Sequence, residues 1–129
     1  MNAELKIQEA IFGLLSGSPG VDYEVYDDVP QDGTYPYIVI GEASSGEFDT
    51  KTFNGFETGV VIHSWSRYDG RQEVKEMMGA VYAALHNVLI EVEDFNTVLC
   101  LFEFSETLLE DDGITRHGIQ RFNLVINEE

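Results

Sequence analysis

The sequence predicts an α+β fold of two layers, in which one antiparallel β-sheet of four to five strands carries two helices on one face. Two segments repeat apolar residues at a spacing of three to four, which is typical of helices. The centre and the end of the chain instead alternate apolar with polar residues, or run apolar for a short stretch, which is typical of strands. Because neither a Pro/Ser-rich linker nor a repeat of fixed period interrupts the 129 residues, we expect a single domain over residues 1–129.

The two helices are predicted at the start and in the middle of the chain. The first covers residues 2–16 with Asn2 as its N-cap, and its apolar face consists of Ile7, Ala10, Ile11, Leu14 and Leu15. A Gly-Ser-Pro-Gly sequence ends it. The second helix begins at a capping box made by Asp69 and Gln72 and runs to about His86. Its apolar stripe consists of Val74, Met77, Met78, Val81, Tyr82 and Leu85.

The strands follow from short apolar or alternating segments that are separated by turn residues. A short strand is predicted over residues 21–26, and a buried, β-branched strand over residues 37–40. The clearest alternation covers residues 56–65. The last two strands, over residues 97–104 and 114–126, form an antiparallel hairpin around an Asp-Asp-Gly turn.

The charge of the chain restricts its partners. It has 24 Asp plus Glu against 7 Lys plus Arg, which gives a formal net charge of -17. Clustered Lys and Arg provide non-specific affinity for nucleic acids and for anionic membranes. We therefore expect DNA to pass near this protein without tight binding, and we expect no membrane partner. No apolar run approaches the roughly 18 residues that a membrane span needs, and the mixed N-terminal segment shows no secretion signal.

Few residues could carry chemistry, and we expect no enzyme. Cys100 could pair with a histidine as a nucleophile, but it lies in an apolar stretch where cysteine is ordinarily a core residue, and a single cysteine fits a reducing cytoplasm. His63, His86 and His117 lie on three separate predicted elements and lack the spacing of a zinc site. The acidic Glu-Val-Glu-Asp and Glu-Asp-Asp-Gly clusters lack the alternating ligands of a calcium loop. We therefore assign no catalytic residue, no metal and no cofactor.

A long polar segment between two predicted strands is the candidate for a protein interface. Residues 42–55 are rich in Ser, Gly, Asp and Thr, and this composition predicts a hairpin tip. Phe48 and Phe53 are its large apolar side chains, and Phe56 lies beside it. Exposed aromatic residues commonly mark an interface. The alternative, a loop that folds back on its own sheet, is equally compatible with the sequence.

Three stretches resemble, in their order and spacing, a family of small phage proteins known as tail-completion or tail-terminator proteins. The stretches are Val29-Pro30 with Tyr35-Pro36-Tyr37-Ile38-Val39-Ile40-Gly41-Glu42 and Asp49-Thr50-Lys51, then Ile62-His63-Ser64-Trp65-Ser66 with Gly70-Arg71 and Ala84-Leu85-His86, and finally Asp112-Gly113 with His117-Gly118. Together they span most of the chain from Val29 to Phe122.

The resemblance implies a structural role without catalytic residues. Members of the family cap the finished tail tube as a ring, commonly of six copies, and join the tail to the filled head, with DNA passing through the lumen. For this chain it implies a homo-oligomeric ring, expected as a hexamer, with the tail tube protein and the head connector or neck protein as partners. It also implies a place at the head–tail junction of a virus, prophage or gene-transfer particle, after assembly in the host cytoplasm. The expected interface residues are Phe48, Asp49, Thr50, Lys51, Phe53 and Phe56.

Two other functions stay open at this point. An acidic DNA mimic would block a DNA-binding protein by imitating phosphate spacing, but it needs one continuous acidic ridge, whereas the acids of this chain are dispersed over both termini, turns and helices. A small hydrolase would need a closed pocket that holds His63 or His117 beside Cys100 or a carboxylate.

Overall fold

Both helices pack against the same face of one sheet in the computed structural model, which describes residues 3–30, 33–47, 55–92 and 98–127. The elements follow the order α1 (Ala3–Gly17), β1 (Glu24–Tyr26), β2 (Tyr37–Glu47), β3 (Gly55–Ser66), α2 (Gln72–Leu85), β4 (Val88–Ile90), β5 (Val98–Leu109) and β6 (Arg116–Asn127). The predicted α+β class, with the helices on one side of a sheet, is confirmed. Within the described ranges, no helix is long and apolar enough to cross a membrane.

The sheet has six strands in the order β1-β2-β3-β6-β5-β4. Neighbouring strands are antiparallel except β1 and β2, which are parallel. β3 and β6 pair over their whole length, from Gly55 opposite Asn127 to Ser66 opposite Arg116. β4 is the strand that the sequence did not predict, because three residues are too few to show an alternation.

β2 and β5 continue well beyond their predicted ends. The hairpin tip predicted over residues 42–55 is wrong in its extent, because residues 42–47 belong to β2 and Gly55 begins β3, while residues 48–54 lie outside the described residues. A β-bulge interrupts each long strand, between Ile40 and Ala43 in β2 and between Phe102 and Phe104 in β5. A bulge shifts the alternation by one residue, so the strand beyond it escapes a search for period two.

The core lies between the helices and the inner face of the sheet. Its fully buried members include Ile7, Ile11, Leu15, Ile38, Ile62, Met77, Val81, Leu85, Phe122 and Leu124. Burying one such side chain stabilises the fold by about 1.5–3 kcal/mol. The predicted apolar stripes of both helices therefore face this core, with Tyr82 as an exposed exception. Cys100 also lies in the core, as predicted, and burial raises the pKa of its thiol to about 12.

The predicted capping box of the second helix is wrong. α2 has Arg71 as its N-cap and no side-chain cap, so Asp69 lies too far before the helix to reach its first N–H groups. The chain turns at Gly70, which has a φ of +91°. Glu73, in the first turn, instead accepts a hydrogen bond from the Ser66 hydroxyl at 2.6 Å, which ties α2 to the end of β3. The N-cap predicted for the first helix, Asn2, lies outside the described residues.

Candidate functional site

The sheet face turned away from the helices, here termed the open face, brings together residues that are distant in sequence. Its outward positions on β3 and β6 include Val61, His63, Trp65, His117, Ile119 and Arg121, which alternate with buried positions such as Ile62, Ser64, Gln120 and Phe122. Period two alone sends these two sets to opposite sides of the sheet. The open face is where titratable groups meet.

Two carboxylates and two imidazoles form a continuous hydrogen-bonded chain on the open face, here termed the carboxylate–histidine chain. Glu42 Oε1 lies 2.8 Å from His63 Nε2. His63 Nδ1 lies 2.6 Å from His117 Nε2. His117 Nδ1 lies 2.9 Å from Glu110 Oε1. Every nitrogen of both rings therefore has a partner within this chain.

Strand register places the two histidines side by side. Trp65 on β3 pairs with His117 on β6, and His63 lies two residues from Trp65 on the same face, so the two imidazoles are diagonal neighbours. The Trp65 ring stacks on His117 with centroids 3.7 Å apart and planes 10° apart. Gly41 on β2 makes room for His63, because a Cβ at that position would lie 2.5 Å from His63 Cδ2.

The turn between β5 and β6 holds Glu110, which is one end of the carboxylate–histidine chain. Glu110 donates its N–H to the Thr115 carbonyl at 2.9 Å. Asp112 accepts hydrogen bonds from the Ile114 and Thr115 N–H groups at 2.8 Å and from the Thr115 hydroxyl at 2.6 Å. These bonds, the hydroxyl first, lower the pKa of Asp112 to about 2. The predicted Asp-Asp-Gly turn is thus present, and it fixes Glu110 beside His117.

The environment of the carboxylate–histidine chain is uneven from end to end. The hydrogen bond from His63 lowers the pKa of Glu42, although 75% of the Glu42 side chain is exposed. Burial lowers the pKa of His117, positive charge on His63 lowers it further, and the bond to Glu110 opposes both effects. Positive charge is therefore disfavoured on the buried His117 ring, and negative charge is favoured on Glu42.

A cleft of about 660 Å³ opens beside His63. Carboxylates and rings line it, among them Asp27, Asp28, Tyr37, Glu42 and Trp65. The hydrolase alternative asked for a closed pocket that holds His63 or His117 beside Cys100 or a carboxylate, whereas this cleft is open to solvent, although it places His63 beside Glu42. Its described lining residues nevertheless include no serine, threonine or cysteine, and Cys100 lies in the core behind the sheet. Within the described chain, no group of three or more His, Cys, Asp or Glu is arranged to hold a metal ion.

At each lateral edge of the sheet, part of a long strand is not paired with any described strand. β4 pairs only with Val98–Cys100, so residues 104–109 of β5, here termed the β5 edge, have no outer neighbour within the described ranges. β1 pairs only with Tyr37, Ile38 and Val39, so residues 41–47, here termed the β2 edge, are open in the same way. The β5 edge also exposes large apolar side chains: Phe104, Leu108 and Leu109. Open edges with apolar side chains are typical of surfaces that pair with another chain.

Most of the predicted interface residues lie outside the described residues: Phe48, Asp49, Thr50, Lys51 and Phe53. Phe56 belongs to β3, where its backbone pairs with Glu47 on one side and with Ile126 on the other. The interface assigned to this segment therefore stays a prediction.

Sequence reasoning missed the carboxylate–histidine chain. It correctly placed His63 and His117 on two different strands, with His86 directly after the second helix, but it did not predict which elements are neighbours. The available signal was the position of His63 and His117 on strands whose alternate residues are apolar, which puts both rings on an outward face. Pairing β3 directly with β6 is what brings them together.

Comparisons with known proteins identify the family. The family described as "Tail completion protein gp17" matches residues 9–127. Tail completion protein gp17 of Bacillus phage SPP1 is 31% identical over 104 residues, which are 81% of this chain and 77% of that protein. The structure of bacteriophage SPP1 gp17 is similar with a TM-score of 0.64 at 26% identity, covering 98% of this chain and 93% of that one. A chain in the virion of a native gene transfer agent particle shares the fold, with a TM-score of 0.85 at 21% identity over 94% of both chains.

These matches confirm the resemblance that the three sequence stretches carried. They favour a structural tail protein over an acidic DNA mimic, and they place the chain in the tail of a virion. Because the family match spans nearly the whole sequence and agrees with the SPP1 relative, the chain belongs to the phage tail-completion family, whose members are structural proteins of the virion.

Proposed function

We propose that this chain caps the tail tube as a ring of six identical copies and joins the tail to the head, with DNA passing through the lumen. The observation that carries the proposal is the match to the tail-completion family over residues 9–127. The partners are the tail tube protein and the connector or neck protein of the head. The chain acts through shape and contact, without turnover of a substrate.

The open strand edges support a ring. A head-to-tail ring needs two different surfaces on each copy, one for each neighbour. The β2 edge and the β5 edge lie toward opposite sides of the sheet, so one copy can offer both. Unpaired N–H and C=O groups along such edges favour pairing with another chain, and Phe104 and Leu108 add apolar area at the β5 edge. As the sequence predicts, Phe48, Phe53 and Phe56 serve as further anchors.

Charge regulates assembly and keeps DNA free. Copies that each carry a formal net charge of -17 repel one another, so the isolated protein stays monomeric until the end of a tail nucleates the ring. Salt weakens this repulsion, because charges more than about 8 Å apart are largely screened at physiological ionic strength. Added salt therefore favours the ring. An acidic lumen wall repels DNA phosphates, so DNA slides through without binding.

Electron microscopy combined with sedimentation tests the ring. Concentrated protein at high salt is expected to form rings with a lumen wide enough for duplex DNA, and dilution at low salt is expected to return monomers. Phe104→Ser should reduce the fraction in rings and the joining of tails to heads. Phe12→Ser is the matched control, because Phe12 on α1 is 43% exposed against 46% for Phe104 and lies on the helical side.

Two results would contradict the proposal. If the protein stays monomeric at high salt and also in the presence of tails, the proposed ring is contradicted. Rings that form equally well with Phe104→Ser would remove the β5 edge from the interface and leave the hairpin segment as the candidate, which Ala substitutions at Phe48, Phe53 and Phe56 would then test.

A further inference from the structure

We infer that His63 and His117 form a single proton-binding site, in which the two imidazoles together hold one extra proton between the carboxylates of Glu42 and Glu110. The inference rests on the carboxylate–histidine chain, here called the line, whose three contacts are 2.8, 2.6 and 2.9 Å long and use all four ring nitrogens. The inference does not depend on the hexameric assembly proposed above.

Counting hydrogens along the line fixes the charge of the pair. An ionised carboxylate only accepts, so Nε2 of His63 and Nδ1 of His117 must each carry a hydrogen to bond Glu42 and Glu110. The central contact between His63 Nδ1 and His117 Nε2 needs one hydrogen and no more. The complete line thus holds three hydrogens on four nitrogens, which is one positive charge shared by two rings.

With any other number of hydrogens on the two rings, at least one of the three contacts cannot be a hydrogen bond. Two neutral rings carry only two hydrogens, so one of the three contacts would place two lone pairs face to face. Two imidazolium rings carry four hydrogens, so two N–H groups would point at each other across the 2.6 Å central contact. The site therefore binds one proton when its three contacts are complete and resists a second, and its two titration steps belong to the pair and not to either residue.

The Trp65 ring covers His117, and both imidazoles are largely buried, with 14% of the His63 side chain and 10% of the His117 side chain exposed. The charged groups that face the pair are Glu42 on β2 and Glu110 after β5. Asp27 and Asp28 line the same cleft as His63, and Glu106 on β5 pairs with Ile119, two residues from His117.

Nitrogen NMR of the imidazoles tests the inference on the unmodified protein. Through the middle of the histidine range, about pH 5 to 8, His63 Nε2 and His117 Nδ1 should both report an attached hydrogen. The two rings should titrate in two separated steps. In urea, where the chain is unfolded, both should titrate together near an ordinary pKa of about 6.5.

Charge-removing variants locate the source of the effect. Glu110→Gln keeps an oxygen that can accept from His117 but removes the negative charge, so proton affinity in the first step should fall about tenfold, which is a shift of about one pH unit. Glu106→Gln is the matched control, because it removes the same charge from an exposed carboxylate on the same face and should shift that step far less.

The inference fails if the folded protein titrates both rings in one common step, or if His117 Nδ1 lacks a hydrogen throughout that range. It also fails if Glu106→Gln shifts the first step as much as Glu110→Gln, since the effect would then be general charge and not the line of contacts. The measurement on the unmodified chain decides the first two points even if a variant does not fold.

Discussion

The two faces of the sheet use the same strands for different purposes. The face beneath the helices is a continuous apolar surface, in which Ile38, Ile62, Phe122 and Leu124 are fully buried. The open face carries two histidines, exposed apolar residues on β5 and a cleft lined by carboxylates. Because alternate residues of one strand point to opposite sides, a change on one face need not disturb the other. Substitutions on the open face should therefore affect the stability of the fold less than substitutions on the face beneath the helices.

The largest test of this comparison replaces one phenylalanine on each face. Phe122→Ala removes a fully buried ring that packs edge-on against Phe102, with centroids 5.7 Å apart, and should lower the free energy of unfolding by about 3–5 kcal/mol. Phe104→Ala removes a ring from the open face and should change it by about 0.5 kcal/mol or less. Urea denaturation with a shared m-value measures both. Equal losses would show that the open face is also a packed surface.

A smaller test uses one glycine on each face. A Cβ at Gly118 would lie 2.5 Å from Met78 Sδ and 3.2 Å from Val74 Cγ2 on α2, so Gly118→Ala should cost about 1–3 kcal/mol through strain in the covered layer. A Cβ at Gly59 would instead meet the end of the Arg121 side chain, which can swing toward solvent. Gly59→Ala should therefore cost less than Gly118→Ala in thermal unfolding. The reverse order would mean that Arg121 is held more firmly than α2.

The smallest test concerns the turn that holds Glu110. The pKa of Asp112 is about 2 against an ordinary 3.8, so its ionised form stabilises the fold above about pH 3.8, and this contribution is lost as the pH falls toward 2. Asp112→Asn should thus be less stable than the unmodified protein at neutral pH. The difference should shrink as the pH falls through that window. A difference that does not change with pH would assign the effect to hydrogen bonding alone.

Local patterns predicted the covered face well. The apolar stripes of α1 and α2, the buried run at Ile38 and the core position of Cys100 are visible because burial imposes a period on neighbouring residues. The bulges in β2 and β5 explain why the same search stopped too early in both strands. The wrong capping box shows that a short motif is not sufficient to predict where a helix begins. The spacing of Asp69 and Gln72 fits the motif, but the chain turns at Gly70 and the N-cap is Arg71.

The open face was much harder to predict. Its polar and charged residues carry no period of their own, and each looks like an ordinary solvated side chain in the sequence. His63 and His117 lie 54 positions apart, and Glu42 lies 21 positions before His63. Nothing local to any of these residues indicates the others.

The amino-acid sequence was sufficient to predict the two helices, most of the core and the resemblance to tail-completion proteins, and it shows the large excess of acidic residues. Each of these depends on composition or on residues near one another in the chain. Only the folded structure shows that β3 lies beside β6, that two imidazoles meet between two carboxylates and that both sheet edges are partly open among the residues it describes. Strand partners and their register are chosen by the packing of the whole sheet, and a one-residue slip would turn every one of these side chains to the other face.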